Sequence, residues 1–413
     1  MFPRLSLPYL ASLTPPEIQV EIIDEYFEEV PFDDPADLIG ISFMTPQAPR
    51  AYQIGDEFKK RGRKVVMGGI HASALPEEAM EYADAVVVGE AEGIWPRVLE
   101  DFKNGRMNGI YRSPQFPDLT GLPIPRYDLL KKERYRLFKI NFPIQAGRGC
   151  PFKCEFCSVT RFYGGKYRFR PVGEVVREIQ QTKFKKIFFV DDNIISNRSY
   201  AYELFQALIP LKLRWGGQAS LNLAKDEELL QLAGKSGCGI LYIGVESISE
   251  SNLAASGKSF IKAAEISELL AKIHKQGILI RASIIFGMDD DDCGVFHNTV
   301  KFLIKKKVAY GEFFILTPMP GTELRRKLKE EGRIVDYDWS NYDGLHAVYR
   351  PLKMGKEKLE KGLWDAYREF YTISNILRRC LKMEKHPRRI RTFLSNLYYR
   401  RMVLRGRHPL YGE

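Results

Sequence analysis

Three cysteines within eight residues constrain this chain more than any other feature. They are spaced C-x3-C-x2-C in Arg148-Gly149-Cys150-Pro151-Phe152-Lys153-Cys154-Glu155-Phe156-Cys157. Thiolates are soft ligands that suit iron-sulfur clusters or zinc. Six cysteines in 413 residues do not make a disulfide framework, and crowding of this kind in a reducing compartment favours metal. A closed structural zinc site needs a fourth Cys or His. No histidine occurs between His71 and His274 and the next cysteine is Cys238, so three ligands leave one metal position open. Cys238, Cys293 and Cys380 are scattered and read as buried or inert thiols.

The trio follows a strand-like run and opens a long strand-helix alternation. Strand candidates lie at Ile144–Gly147, Lys186–Val190, Leu213–Gly217, Ile240–Val245, Ile278–Phe286 and Glu312–Leu316. Helical patterns follow at Val172–Gln181, Tyr200–Leu208, Asp226–Ala233, Ile261–Lys275, Val295–Lys305 and Glu323–Lys329. Six strand-helix units in right-handed crossovers curve into part of a barrel, since a full ring needs about eight. Residues 1–110 alternate in the same way, with apolar runs at Gln19–Ile23, Leu38–Phe43, Lys64–Met67 and Ala85–Val88 that predict a doubly wound, Rossmann-like sheet. The prolines at 114, 117, 123 and 125 mark residues 111–142 as a linker. The expected class is therefore α/β: a Rossmann-like domain, a linker, a partial (β/α)6 barrel over 143–336, and a basic helical extension over 337–413.

Uncharged stretches reach only about a dozen residues, short of the roughly 20 that span a bilayer, and the amino terminus lacks the build of a secretory signal. A cytoplasmic location is expected, with peripheral membrane contact as its extension. The charge points the same way. Residues 375–413 hold eleven Lys/Arg against two acidic residues, so +9 of the net +11 sits in this tail. Between Arg378 and Arg407 the arginines interleave with Ile390, Phe393, Leu394, Leu397, Tyr398, Met402 and Val403. Packing on the barrel is the first reading of these helices, an anionic lipid surface the second. Nucleic acid comes last, because no RNA-binding module accompanies the charge.

Cys150, Cys154, Phe156 and Cys157 match C-x3-C-x-aromatic-C, and on a strand-to-helix loop opening a six-unit barrel this segment resembles the radical S-adenosylmethionine (SAM) superfamily. The resemblance implies a [4Fe-4S] cluster on the three cysteines, whose unique iron is chelated by SAM. Reductive cleavage of SAM then yields a 5′-deoxyadenosyl radical that takes hydrogen from an unactivated carbon. It also implies SAM contacts at the ends of the strands. Phe156 belongs to the signature. Asp191 and Asp192, in Asp191-Asp192-Asn193, stand where the superfamily often has Gly-Gly-Glu, with a helix N-cap run as the alternative. Gln218 and Glu246 follow the third and fourth strands, and Glu246 resembles the acceptor of the ribose hydroxyls. Ser283 and Ile285, in Ser283-Ile284-Ile285-Phe286-Gly287, resemble the adenine-packing G-x-I-x-G segment. Leu316 follows the sixth strand.

Residues 1–110 resemble the cobalamin-binding domain of one radical SAM subgroup at Leu38-Ile39-Gly40-Ile41-Ser42, Gly68-Gly69-Ile70-His71 and Val88-Gly89-Glu90-Ala91-Glu92-Gly93. Two departures stand out. The cobalt-ligating motif D-x-H-x-x-G, aligned on His71, meets Gly69 and Ala74 where Asp and Gly belong, so His71 is expected in a loop or interface. The chain also starts where relatives already have a first, central strand. The resemblance implies a radical SAM enzyme that methylates or forms a carbon-carbon bond on a small, lipid-like molecule, supplied with electrons by a low-potential flavodoxin or ferredoxin. Cobalamin-dependent methyl transfer is the second reading. A zinc-binding or nucleic-acid-binding protein without catalysis is the alternative of another class.

Overall fold

The computed structural model describes residues 3–131, 142–258, 260–381 and 388–409. Strands β1 (Leu38–Ser42), β2 (Lys64–Gly68), β3 (Ala85–Val88) and β4 (Gly109–Arg112) form an all-parallel sheet in sequential order. Alternation along β2 explains why both faces are covered. Val65 and Met67 pack under helix Ala48–Lys60, and Val66 turns to the other side against Trp95, Val98 and Leu99 of helix Trp95–Lys103. The run at 19–23 is not a strand. It pairs with no described strand, and an extended segment without a neighbour has no ladder to join. β4 extends this sheet across the expected boundary at 110, where its period-2 signal over four residues was too short to notice.

The second sheet has six parallel strands in the order β12-β11-β10-β9-β8-β5. They are β5 (Phe142–Ile144), β8 (Lys186–Phe189), β9 (Arg214–Ala219), β10 (Cys238–Glu246), β11 (Leu279–Phe286) and β12 (Tyr310–Ile315). A two-residue antiparallel pair, β6 (Gly147–Arg148) with β7 (Arg168–Phe169), sits beside it. In β11, Ile280, Ala282, Ile284 and Phe286 are buried in the main core, leaving Arg281, Ser283 and Ile285 on the opposite face. Helix starts are set by side chains that satisfy first-turn amides: Asn197 for Tyr200, Asp226 for Leu229 and Thr322 for Arg325.

Of the carboxy-terminal helices, Lys356–Phe370 packs along the edge strand β12 and helix Val295–Lys305, while the pair Ile373–Leu381 and Arg389–Leu404 lies where the strands begin. Asn396 donates to Ala309 O just before β12 and accepts from Arg379 at 2.7 Å. Arg388 donates to Gly239 O in β10. Inside this closed end Arg281 pairs with the buried Glu312 and bonds the Tyr399 hydroxyl. His408 is fully buried, its Nε2 2.6 Å from the Tyr367 hydroxyl. Of the scattered thiols Cys238 and Cys380 are buried, whereas Cys293 is exposed.

Burial, and secondarily the Arg281 charge, push His408 down to about 3. The folded protein holds it neutral, while the unfolded chain takes up a proton near pH 6.5. Its contribution is therefore complete above pH 6.5 and is lost as pH falls toward 3. We predict that the stability advantage of the metal-free wild type over His408→Gln shrinks by about 2–3 kcal/mol between pH 7.5 and 4.5 in urea titrations. A constant gap would show that His408 is not held neutral.

Candidate active site

The antiparallel β6–β7 pair closes the base of an excursion, residues 149–167, that carries all three clustered cysteines. The base is tied to the end of β8 by two consecutive carboxylates. Asp191 accepts from the Ala146 amide (3.0 Å) and the Tyr167 hydroxyl (3.2 Å), and Asp192 accepts from the Gly149 amide (2.8 Å). Gly149 has φ +87°, and a Cβ there would lie 2.2 Å from Lys166 O, so only glycine makes this turn. The Cys157 amide donates to Cys154 O. Glu155 donates its amide to Ser256 O, accepts from the Leu324 amide, and pairs with Lys327 at 2.7 Å. Phe152 stacks on Phe260 with 3.9 Å between centroids. Loops following β10 and β12 thus press the excursion onto the sheet.

The thiols are half-buried. Burial is the first cause that pushes Cys154 up to about 11 and Cys157 up to about 12, and raises Cys150. Their mutual charge adds to this, and the Lys258 ammonium opposes it at Cys154. Three thiolates would be stable here only around a strongly cationic centre. Among the described residues no set of three or more His, Cys, Asp or Glu side chains converges on a single metal-ion position. Three soft donors without a fourth fit a cluster in which each sulfur takes a separate iron.

Next to the excursion lie the ends of β9, β10 and β11. β10 shifts register between Gly244 and Glu246, and Glu246 is buried with φ +62°, a strained conformation for a non-glycine residue. Its carboxylate accepts from Lys258 Nζ at 2.7 Å and from Ser283 Oγ at 3.4 Å, and Lys258 also donates to Gly244 O at 3.0 Å. A Cβ at Gly244 would meet Glu246 Oε1 at 2.3 Å and Lys258 Nζ at 2.9 Å, so glycine makes room for the pair. Gln218 donates to Asp191 O at 3.4 Å. Ile285 is half-buried, and the Leu316 amide donates to Phe286 O. Phe156 packs against the main core.

Glu246 and Ser283 are thus bonded to each other across β10 and β11, while Gln218 on β9 bonds back to Asp191 O and Leu316 to Phe286 O. Asp191 is different. It is wholly buried with both oxygens bonded, and burial raises it to about 7; Asp192, raised to about 6 for the same reason, holds the cysteine loop. Sequence reading missed Lys258 and Asn193. Asn193 accepts from the Ser220 amide and lies within hydrogen-bonding reach of Cys150. Lys258 follows Gly257, whose φ is +77°, and a glycine-lysine turn after a strand-end acidic residue was the available signal. Most lysines are solvated, so one lysine in a loop carries little weight alone.

The amino-terminal domain reaches this site through its Gly89-Glu90-Ala91-Glu92-Gly93 loop. Arg148, the residue before the cysteine loop, pairs with Glu90 and Glu92, each at 2.6 Å, and Arg168 pairs with Glu90 at 2.5 Å. The four charges balance, and Arg148, Glu90 and Glu92 are nearly out of contact with water. His71 lies elsewhere in the domain contact. It is fully buried, with Nδ1 3.2 Å from Thr45 Oγ1 and Nε2 3.1 Å from the Tyr52 hydroxyl. The Trp339 ring stands 5.1 Å away and donates to Glu78. Both imidazole nitrogens are occupied, so His71 does not fit the role of a cobalt ligand.

Breaking a buried ion pair from one side costs about 3–5 kcal/mol because the partner charge stays buried. We predict that Glu90→Gln/Glu92→Gln lowers unfolding stability by about that amount and reduces iron and sulfide content after anaerobic reconstitution. Unchanged cluster content would mean that the clamp does not hold the loop.

Comparison with known proteins agrees with this geometry. Residues 144–303 match the Radical SAM superfamily and residues 14–99 match the B12 binding domain. The chain is 32% identical to bacteriochlorophyllide d C-8(2)-methyltransferase of Chlorobaculum tepidum, over 96% of this chain and 91% of that one. It is 27% identical to hopanoid C-2 methylase of Rhodopseudomonas palustris, over 86% and 70%. Among solved structures, TsrM of Kitasatospora setae with cobalamin and a [4Fe-4S] cluster superposes with a TM-score of 0.69 at 16% identity, covering 95% of this chain and 96% of that one. The cobalamin-dependent enzyme OxsB superposes with a TM-score of 0.71 at 15% identity, covering 98% and 69%. The chain belongs to the radical SAM superfamily, in the group that joins a B12-binding domain to the radical SAM domain, and is an enzyme with radical SAM methyltransferase relatives.

Proposed function

We propose that this enzyme methylates an unactivated carbon of a hydrophobic, ring-containing small molecule, with the methyl group delivered through a corrinoid. The observation that carries the reading is the juxtaposition of the three-thiol loop with the Glu246–Lys258 pair at the strand ends, under a domain of the B12-binding type clamped to the same loop. Two relatives support the substrate class: one is named for methylating a bacteriochlorophyllide, another for methylating a hopanoid. A zinc or nucleic-acid-binding protein without catalysis has no support among these relatives.

Cys150, Cys154 and Cys157 would hold the cluster. When bound, cluster and SAM together supply the reductive cleavage that generates the 5′-deoxyadenosyl radical. The chain's own residues position the reactants. Lys258 is placed to neutralise a carboxylate close to the cluster, and its pairing with Glu246 keeps it there in the meantime. Glu246 offers two acceptor oxygens to vicinal hydroxyls of a ribose, with Ser283 bonded to one of them. Ile285 and Leu316 present apolar surface to an adenine ring. Gln218 and the backbone about Asp191 border the same space. Burial of the thiols and of Glu246 excludes water, which protects a radical from quenching. The electron donor would be a low-potential flavodoxin or ferredoxin, and a lipid-phase substrate would be met at a membrane surface.

The B12-binding-type domain would hold the corrinoid, with His71 kept from cobalt by Thr45, Tyr52 and Trp339. After anaerobic loading with hydroxocobalamin, His71→Gln is expected to leave the corrinoid absorption spectrum and the Co(II) resonance of the wild type unchanged. Nitrogen hyperfine splitting that disappears in the variant would place His71 on cobalt.

With dithionite, the reconstituted enzyme is expected to convert SAM to 5′-deoxyadenosine, and Cys150→Ala, Cys154→Ala or Cys157→Ala to abolish it. Lys258→Met and Glu246→Gln should keep the cluster resonance yet raise the KM for SAM by about 10- to 100-fold, the loss of one charge-assisted contact. Absence of 5′-deoxyadenosine from cluster-loaded wild type would sink the proposal.

A further inference from the structure

The two last helices carry apolar residues on both sides. Along Arg389–Leu404 the inner side is used by the fold: Thr392, Asn396, Met402 and Val403 are buried, and Tyr399 packs on Tyr310 and Arg281. The outer side is not. Ile390 is 77% exposed, Leu404 60% and Leu394 59%, with Tyr398 also exposed. Ile390, Leu394 and Tyr398 recur at four-residue intervals and form one stripe that Leu404 ends. The neighbouring helix Ile373–Leu381, packed against this one, adds the exposed Ile373 and Leu377. Six of the fifteen large exposed hydrophobic side chains among the described residues thus lie on this helix pair, far more than scattered surface residues would place there.

Charge accompanies the stripe. Arg378, Arg391, Arg401 and Arg405 are exposed around it, and neither helix contains an acidic residue. Among the described residues none of these four forms a salt bridge. Aliphatic side chains rimmed by uncompensated arginines match the boundary between anionic headgroups and acyl chains, where apolar groups sink about 5–10 Å and each basic residue adds its own attraction. Other occupants fit less well. A second copy joined through the same face would bring the arginines of both copies together, which like-charge repulsion opposes. Nucleic acid would use the arginines but gain little from exposed isoleucine and leucine, since stacking needs aromatic faces.

We propose that the outer face of helices 373–381 and 389–404 is a docking surface for an anionic lipid bilayer, which the enzyme touches peripherally from the closed end of its barrel. Among the described residues no helix is long and apolar enough to cross a membrane, so the contact would be reversible and salt-sensitive. It does not depend on the methyl-transfer reading, and its residues lie outside the proposed SAM site.

The test uses the full-length reconstituted protein and sedimentation with vesicles of phosphatidylcholine alone or with about 30% phosphatidylglycerol. Wild type is expected to bind the anionic vesicles and not the neutral ones, and to release as salt rises. Arg391→Gln and Arg401→Gln should each weaken the partition coefficient about fivefold, and Ile390→Ser/Leu394→Ser by tenfold or more. All variants should keep wild-type circular dichroism and 5′-deoxyadenosine formation, which separates a docking defect from a failed enzyme. Equal binding to neutral vesicles, no retention on anionic ones, or full retention by the Ile390→Ser/Leu394→Ser variant would overturn the proposal. So would a solution dimer dissociated by these substitutions, or tight binding to duplex RNA without vesicle binding.

Discussion

The whole arrangement rests on tying down one short excursion that carries three half-buried thiols. A loop that only presented cysteines would collapse onto itself or stay open to water. Here the excursion is closed at its base by the β6–β7 pair and stitched to β8 by Asp191 and Asp192. Ser256 after β10, and Leu324 and Lys327 on the helix after β12, hold its far side. Every support comes from a different strand end, so the loop takes its shape only when the six-stranded sheet is assembled. The buried carboxylates of Asp191 and Asp192 carry a cost, visible as their raised proton affinity, which the backbone amides of Ala146, Gly147 and Gly149 partly offset.

The two ends of the barrel divide the labour. Strand ends gather Glu246, Ser283, Gln218 and Lys258, with a strained backbone at Glu246 that is tolerated because Lys258 and Ser283 hold its side chain. Strand beginnings gather Arg281, Glu312 and Tyr399, which partner one another, with Asn396 bonded to Arg379 and His408 to Tyr367. The first set leaves donors and acceptors for a ligand, and the second seals the core with the carboxy-terminal helices. This is the usual polarity of strand-helix barrels, with chemistry at the carboxyl ends of the strands. The amino-terminal domain joins the chemical end through Arg148, so a residue two positions before the first cysteine also fixes the domain contact.

Much of the barrel was legible because its helices and strands have long periods. The helices expected at 172–181 and 295–305 are found at Val172–Thr182 and Val295–Lys305. Short or isolated segments were read less well. The run at 19–23 looked like a strand because apolar alternation says nothing about whether a neighbour is present, and β4 was passed over because four residues hold too little periodicity. Asp191 looked like a ligand-facing acid at a strand tip. Its side chain turns inward to the Ala146 amide, an orientation that spacing along one strand does not specify. Lys258 was hidden among ordinary lysines, since its importance comes from a carboxylate twelve residues earlier on another element.

By itself, the amino-acid sequence determined the class of chemistry to expect: three thiols at this spacing suit a metal cluster, and six strand-helix periods build an open barrel, since both signals lie in residues close together in the chain. Only the tertiary structure decided that Glu246 pairs with Lys258 while Asp191 and Asp192 tie down the loop. It also decided that His71 is enclosed by Thr45, Tyr52 and Trp339, and that the basic tail spends one side on the barrel and keeps the other outside. Those outcomes depend on which distant elements meet, because a side chain's desolvation and partners come from its neighbours in space rather than in sequence.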